Sequence, residues 1–243
     1  MSIHPGPLLA AVLAALVLLA AAAATVGRLG HTRGVVLAAL RATAQLAGVS
    51  LLIAAIVGSL PWTVVFVGVM FAVATATSAG RSGAGRRGAW AALPIAAGAL
   101  PVLALLLATG VIEPRGIVLV PVAGILLGGA MTATTLATVR LLDELRARQG
   151  EVEAALALGF LPADAVKEIC RPAAAYALVP LLDQTRTVGL VTLPGAFVGM
   201  LLGGATPLQA GAVQLLVLVA LLAAEAVAIT VAVEVVAAGL IRR

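Results

Sequence analysis

The chain has 243 residues, of which 63% are hydrophobic and 10% charged, with a mean hydropathy of +1.19. Soluble domains carry about 25% charged residues, so a water-soluble globule is excluded, and the absence of short alternating strands excludes a membrane barrel. The net charge of +5 does not indicate nucleic acid, because the basic residues stand in short loops between apolar runs. The single Cys170, with only His4 and His31, excludes a disulfide framework and a zinc site.

The apolar runs are built of Ala, Leu and Val and are about 20 residues each, the length a helix needs to cross roughly 30 Å of hydrocarbon. The predicted fold is all-α: a polytopic membrane protein with about seven transmembrane helices forming one permease domain over residues 1–243. In chain order the expected spans are Pro7 to Val26, Val35 to Val57, Trp62 to Ala79, Ala89 to Thr109, Ile117 to Val139, Thr187 to Leu202 and Ala210 to Leu240. The first run is too long, and too directly succeeded by others, to read as a cleaved signal peptide.

Lys and Arg divide unevenly between the loops. Arg28 and Arg33 lie in the first, Arg81, Arg86 and Arg87 in the third, and Arg140, Arg146, Arg148, Lys167 and Arg171 in the fifth, while Arg242 and Arg243 end the chain. The opposite side holds only Arg115. This asymmetry places the odd loops and the C-terminus in the cytoplasm and the N-terminus outside, in a bacterial inner (plasma) membrane. An odd number of spans is then required.

Only one loop is long, from Leu141 to Pro172. It is polar and helix-forming, with Arg140, Glu144 and Arg148 spaced to pair along one helical face. Within it stands Glu153-Ala154-Ala155-Leu156-Ala157-Leu158-Gly159, and nine residues later Ile169-Cys170-Arg171-Pro172. These residues describe a short helix with a small-residue face, ended by Gly159, which can take the left-handed cap conformation. A second helix is expected from Pro162, with Pro172 limiting the first turn of the next segment. The bland alternative is an amphipathic loop of any membrane protein.

The segment resembles the EAA motif of ABC importer permeases: E-A-A, three residues, Gly, nine residues, then I-x-L-P. Glu153, Ala154, Ala155, Gly159, Ile169 and Pro172 match at the right spacing, while Arg171 stands where Leu is usual. In that family the segment is the coupling helix, which presses into a groove on a separate nucleotide-binding subunit. Val120-Pro121-Val122-Ala123-Gly124, Gly128-Gly129-Ala130-Met131, Leu158-Gly159 and Asp183 with Thr187 through Gly195 look like the FetB-type family of iron-export permeases. The likeness covers nearly the whole chain, is densest from Val120 to Gln214, and includes Arg41, Gln45 and Leu46. At Gly129 the sequence departs, since Asn is usual there. The resemblance implies a homodimer of permeases with two cytoplasmic ABC ATPase subunits, ATP and Mg held by the ATPase rather than by this chain, and outward transport of a metal ion.

Ionisable groups inside spans are costly, about 2.5 to 3.5 kcal/mol each at a helix centre, and usually face a bundle interior or a cavity. Arg41 and Gln45 share one face of span two, where Arg41 either snorkels to the surface or serves an ion pair or gate. Asp183 and Arg186 are three apart and can neutralise each other near the cytoplasmic boundary, as a gate or a substrate contact. Glu225 sits near the middle of the last run with no basic residue close in sequence; it either contacts a hard cation, meets a partner such as Arg41 on another helix, or is a protonated glutamic acid. Glu234 belongs nearer the interface. Thr132, Thr134, Thr135 and Thr138 either line a polar path or bond back to their own helix, and Gly124 with Gly128 permits close helix contact or dimerisation. Met70, Met131 and Met200 read as packing rather than as ligands, so the metal ligands stay unassigned.

The loop Gly80 to Gly88 contains G-x-G-x-x-G, but it lacks the Lys-Ser/Thr ending and comes after no strand. The chain is therefore expected not to hydrolyse ATP and not to be an enzyme. The leading expectation is an ABC permease exporting iron through the lipid bilayer. Its rivals are an ABC importer permease for a small solute and an ion-gradient-driven secondary transporter using Glu225.

Overall fold

The computed structural model describes residues 6–243, apart from the side chains of Leu52, Ala54, Ala55 and Val57, so His4 lies outside the described residues. The chain divides into two compact units, Met1–Gly58 and Ser59–Arg243. The first is a helical hairpin of α1 (Pro7–Val26) and α2 (Thr32–Val57). Pro7 starts α1, where its missing N–H costs nothing. Arg28 (φ 51°) and Gly30 (φ 72°) turn the chain between the helices, and the hydroxyls of Thr25 and Thr32 meet at 2.9 Å across the turn.

The second unit contains α3 (Leu60–Ser82), a 3₁₀ segment Gly85–Ala91, α4 (Ala92–Ala108) and α5 (Gly116–Ala147). Next come α6 (Gln149–Ala157), α7 (Pro162–Ala175), a 3₁₀ turn Tyr176–Leu178, α8 (Val179–Thr187), α9 (Gly195–Leu202) and α10 (Pro207–Ala237). The only β-type pairing among the described residues is an isolated bridge between Val188 and Thr192. Helix α10 opens with a capping box: Gln209 N–H donates to Thr206 Oγ1 at 3.3 Å and Thr206 N–H to Gln209 Oε1 at 3.0 Å.

Six helices among the described residues are long and apolar enough to cross a membrane: Pro7–Val26, Thr32–Leu51, Leu60–Ser82, Gly85–Ala108, Gly116–Ala147 and Pro207–Ala237. The chain is thus a polytopic all-α membrane protein, as composition requires. The expected sixth span, Thr187 to Leu202, is not one helix. Thr187 ends α8, and its carbonyl accepts from Val191 N–H at 2.9 Å while Gly189 turns the backbone at φ 83°. Pro194 then precedes α9, which has eight residues. Eight residues rise only about 12 Å, so a crossing here needs the discontinuous pair α8 and α9. Such broken helices are tolerated where other protein segments cover the freed backbone.

Helices α5 and α10 form the centre of the second unit. At one end Leu126, Leu127 and Ala130 of α5 pack with Ile95 and Ala99 of α4, Ala74 of α3, and Ala220, Ala224 and Ala228 of α10. At the other, Ala137, Leu141 and Leu142 pack with Cys170 and Ala174 of α7 and with Ile229, Ala232, Val233 and Val236 of α10. Small residues permit this closeness. A Cβ built on Gly98 would lie 2.3 Å from the Ala224 carbonyl oxygen, so α4 and α10 touch backbone to backbone. Of the expected Gly124 and Gly128 pair, only Gly124 is crowded, by Met70 Cε at 2.8 Å; Gly128 has nothing within 4 Å.

The ends of three segments are fastened together. Arg243 Nε donates to the Ser82 carbonyl at 2.7 Å and Arg243 Nη1 to Asp143 Oδ1 at 2.6 Å. Arg87 Nη1 reaches the Gly239 carbonyl at 3.4 Å. The end of α3, the end of α5 and the chain's tail therefore meet at one end of the unit, the segments that carry the basic residues.

Gly98→Ala should cost about 1–3 kcal/mol by overpacking α4 against α10. In detergent its thermal unfolding midpoint should fall by several degrees while Gly128→Ala stays at the wild-type value. Equal midpoints for the two would show that α4 and α10 are not this close.

Candidate functional site

The long polar segment from Leu141 to Pro172 is not a loop throughout. Its first turns continue α5 to Ala147, and the corner comes at Arg148, whose φ of −114° and ψ of 29° leave the helix. Arg148 holds that corner. Its Nε donates to Glu151 Oε1 at 2.8 Å, and Nη2 pairs with Glu151 Oε2. Nη1 donates to the Ile169 carbonyl at 3.1 Å and lies 3.5 Å from Glu144 Oε1. One guanidinium thus joins α5, α6 and α7, using the fork geometry that Lys lacks. Of the expected row, Glu144 and Arg148 pair, while Arg140 makes no ion pair among the described residues.

Helix α6 ends as the sequence anticipates. Gly159 takes φ 93°, its N–H donates to the Leu156 carbonyl at 3.0 Å and Phe160 N–H donates to the Ala155 carbonyl at 3.1 Å, a Schellman termination. The two helices present an apolar turn: Leu158 is 81% exposed and Leu161 68%, flanked by the exposed Leu156 and Phe160. Glu153 and Ala154 are exposed beside it, Ala155 is half-buried, and Glu153 accepts from Gln149 Nε2 at 3.0 Å. Pro162 opens α7 as expected, but Pro172 does not end it. Pro172 lies on the exposed side, and the helix runs on to Ala175 because neighbouring turns keep their own bonds. Ile169 is half-buried against the core that holds Cys170 and Ala174. Burial pushes the Cys170 thiol above its ordinary range, which makes it unreactive.

Most other links of α7 left no local mark in the sequence. Lys167 Nζ stands 3.3 Å from Asp164 Oδ1 and 3.4 Å from Glu234 Oε2 on α10. These two carboxylates raise the Lys167 pKa, Asp164 first. Only the Asp164 spacing, three residues away on one helix, was legible in advance; Glu234 and Asp143 find their partners 67 and 100 residues away.

The intramembrane candidates are scattered. Arg41 and Gln45 lie exposed on α2 in the first unit. Asp183 and Arg186 pair at 3.6 Å on α8, both exposed. Glu225 is buried on α10, with no hydrogen-bond or ion-pair partner among the described residues of its own unit. It lies against Gly129 of α5, where a Cβ would stand 2.9 Å from its Oε1 and 2.5 Å from Leu221 Cδ2. The glycine at 129 therefore makes room for the carboxylate. The threonines of α5 divide: Thr132 donates to the Gly128 carbonyl at 3.0 Å, and Thr135 donates to the Met131 carbonyl at 2.7 Å while its Oγ1 lies 3.0 Å from the Ser78 hydroxyl. The buried hydroxyls of Thr134 and Thr138 have no partner among the described residues, nor has Gln214 Oε1 on α10. No group of three or more His, Cys, Asp or Glu side chains comes together among the described residues. Met200 lines an apolar cavity of about 240 Å³ with Leu106, Val122 and Leu216.

The sequence pattern of one family, described as uncharacterised protein family UPF0014, matches residues 8–241. The chain belongs to that family. Among UPF0014 relatives, "UPF0014 membrane protein STAR2" of Oryza sativa subsp. japonica is 40% identical over 137 residues, 56% of this chain and 48% of that protein. "Protein ALUMINUM SENSITIVE 3" of Arabidopsis thaliana is 37% identical over 158 residues, 65% of this chain and 58% of its own length. "Probable iron export permease protein FetB" of Escherichia coli strain K12 is 33% identical over 140 residues, 58% of this chain and 54% of that protein. The matches thus span about half the length of these curated relatives. No solved structure matches. The expected likeness to FetB stands, and the chain is a multi-pass membrane protein of this family.

The hydrogen bond from Arg148 holds the Glu151 carboxyl below the usual carboxylate range. A depressed folded-state pKa stabilises at neutral pH and the contribution disappears as pH falls through that value. Hydrogen exchange of amides 149–161, corrected for intrinsic rate, should therefore rise on acidification below the ordinary carboxylate range. Glu151→Gln should show the same rise already at pH 7. Unchanged protection in that variant would remove Arg148 as the corner's anchor.

Proposed function

We propose that this UPF0014 protein is the membrane-spanning permease subunit of an ABC transporter that exports a metal ion, iron in the first instance. Energy enters through a separate cytoplasmic ATPase, which holds ATP and Mg, and this chain is not itself an enzyme. The observation that carries the reading is the apolar turn Leu156, Leu158, Phe160 and Leu161, presented at the Gly159 cap between two helices. Four large apolar side chains on a polar segment lose contact with water only when something covers them, and a nucleotide-binding subunit is the partner that the E-A-A spacing from Glu153 to Pro172 fits. Two relatives' names support a metal cargo, one reading iron export permease and one aluminum sensitive.

The permease works as a homodimer in this reading, with the N-terminus outside and the C-terminus cytoplasmic. The clustering of the Arg-bearing ends of α3 and α5 with the tail supports one common cytoplasmic end. The odd number of crossings then uses the broken pair α8 and α9 as the additional span. Glu225, a buried carboxylate without a partner among the described residues of its unit, is the cation contact of the transport path, since a hard cation favours oxygen ligands.

Leu158→Arg alters an exposed side chain and should leave the permease's abundance in the membrane unchanged. It should reduce ATPase activity of the purified complex coupled to the permease at least tenfold. Coupling retained in full would show that the ATPase docks elsewhere. Glu225→Gln should leave ATPase docking intact and lower iron efflux from loaded cells several-fold.

A further inference from the structure

We propose that Lys167 is the positioning residue that carries movement of the docked α6 and α7 segment into α10, through its ion pair with Glu234. The inference rests on the permease reading. Helix α7 is a lever by construction. Arg148 fixes it to α5 and α6 through the Ile169 carbonyl, and its buried face, Cys170 and Ala174, lies against Ala232, Val233 and Val236 of α10. Lys167 stands near the docking turn and joins Asp164 of its own helix to Glu234 of α10.

Beside that ion pair the packing of the two helices is incomplete along one side. A cavity of about 480 Å³ opens between them, lined by Arg171, Ala174, Leu178, Ile229, Val233 and Glu234. The helices are therefore held by the packing of Cys170 and Ala174 and by the ion pair near the turn, with a cavity along one side of the contact. A lever needs both a fastening and room to move.

An ion pair this open to solvent adds too little to stability for stability to be its purpose. Its place on α10 is the informative part. Glu234 lies nine residues beyond Glu225, about two and a half helical turns, so the two carboxylates lie on opposite faces. Glu225 abuts Gly129 of α5 while Glu234 faces α7. A pull on Glu234 consequently shifts α10 against α5 at the one place where the carboxylate and the missing side chain meet.

The test uses the full chain purified from cells together with its ATPase, with iron efflux measured in the same cells. Lys167→Glu should lower efflux at least fivefold while the ATPase still co-purifies and turns over ATP. The reversed pair Lys167→Glu with Glu234→Lys should return efflux to within twofold of wild type. Efflux unaffected by Lys167→Glu, or lost equally in the reversed pair at normal membrane abundance, overturns the proposal. If no ATPase activity accompanies the wild-type chain, the permease reading itself fails, and this inference with it.

Discussion

The contact on which the second unit depends is the backbone approach of α4 and α10, with α5 packed beside them through small residues. In a bilayer there is no hydrophobic difference between lipid tails and apolar side chains, so helices associate through close packing and satisfied polar groups. Gly98 against the Ala224 carbonyl gives that packing in its most direct form. Along the same helices stand Ala130, Ala133, Ala137, Ala228 and Ala232, all essentially without exposure. Bulk at these positions would separate α5 from α10, and with them the two cores around which the unit is packed.

That approach also sets the terms for the polar residues. Glu225 can occupy the interior because position 129 has no side chain, and Thr134 and Thr138 keep buried hydroxyls without a partner among the described residues. Buried polar groups without partners are costly, and membrane proteins keep them where ions or protons pass. The end of the bundle near the chain's tail is organised differently. There Arg148, Lys167 and Arg243 each join separate segments, so charge adds to the apolar core in aligning α3, α5, α6, α7 and α10. In the proposed reading this end receives the ATPase, and the small-residue interior moves the cargo.

Membrane residence was legible because hydrocarbon imposes a length and an apolar composition on every helix, and six runs meet both demands. The Gly159 cap was legible because only a few backbone conformations end a helix, and glycine at that spacing takes the left-handed one. The start of α7 at Pro162 obeys the same kind of local rule. Thr187 to Leu202 reads as a span on hydropathy alone, because its residues are apolar enough. Gly189 and Pro194 outweigh hydropathy when they fall within one helix length. Pro172 errs the other way, since a proline on an exposed face of a packed helix removes one bond without ending it.

The sequence by itself determined the helical membrane class, the position of the polar segment and the cap that shapes it, because each rests on interactions within a few residues of chain. Only the tertiary structure decided which groups meet: Glu225 with Gly129, Lys167 with Glu234, Arg243 with Asp143 and the Ser82 carbonyl. Those pairings join residues far apart in the chain, and their partners are selected by how closely small side chains let the helices approach. That distance is a property of the packed bundle and of no single segment within it.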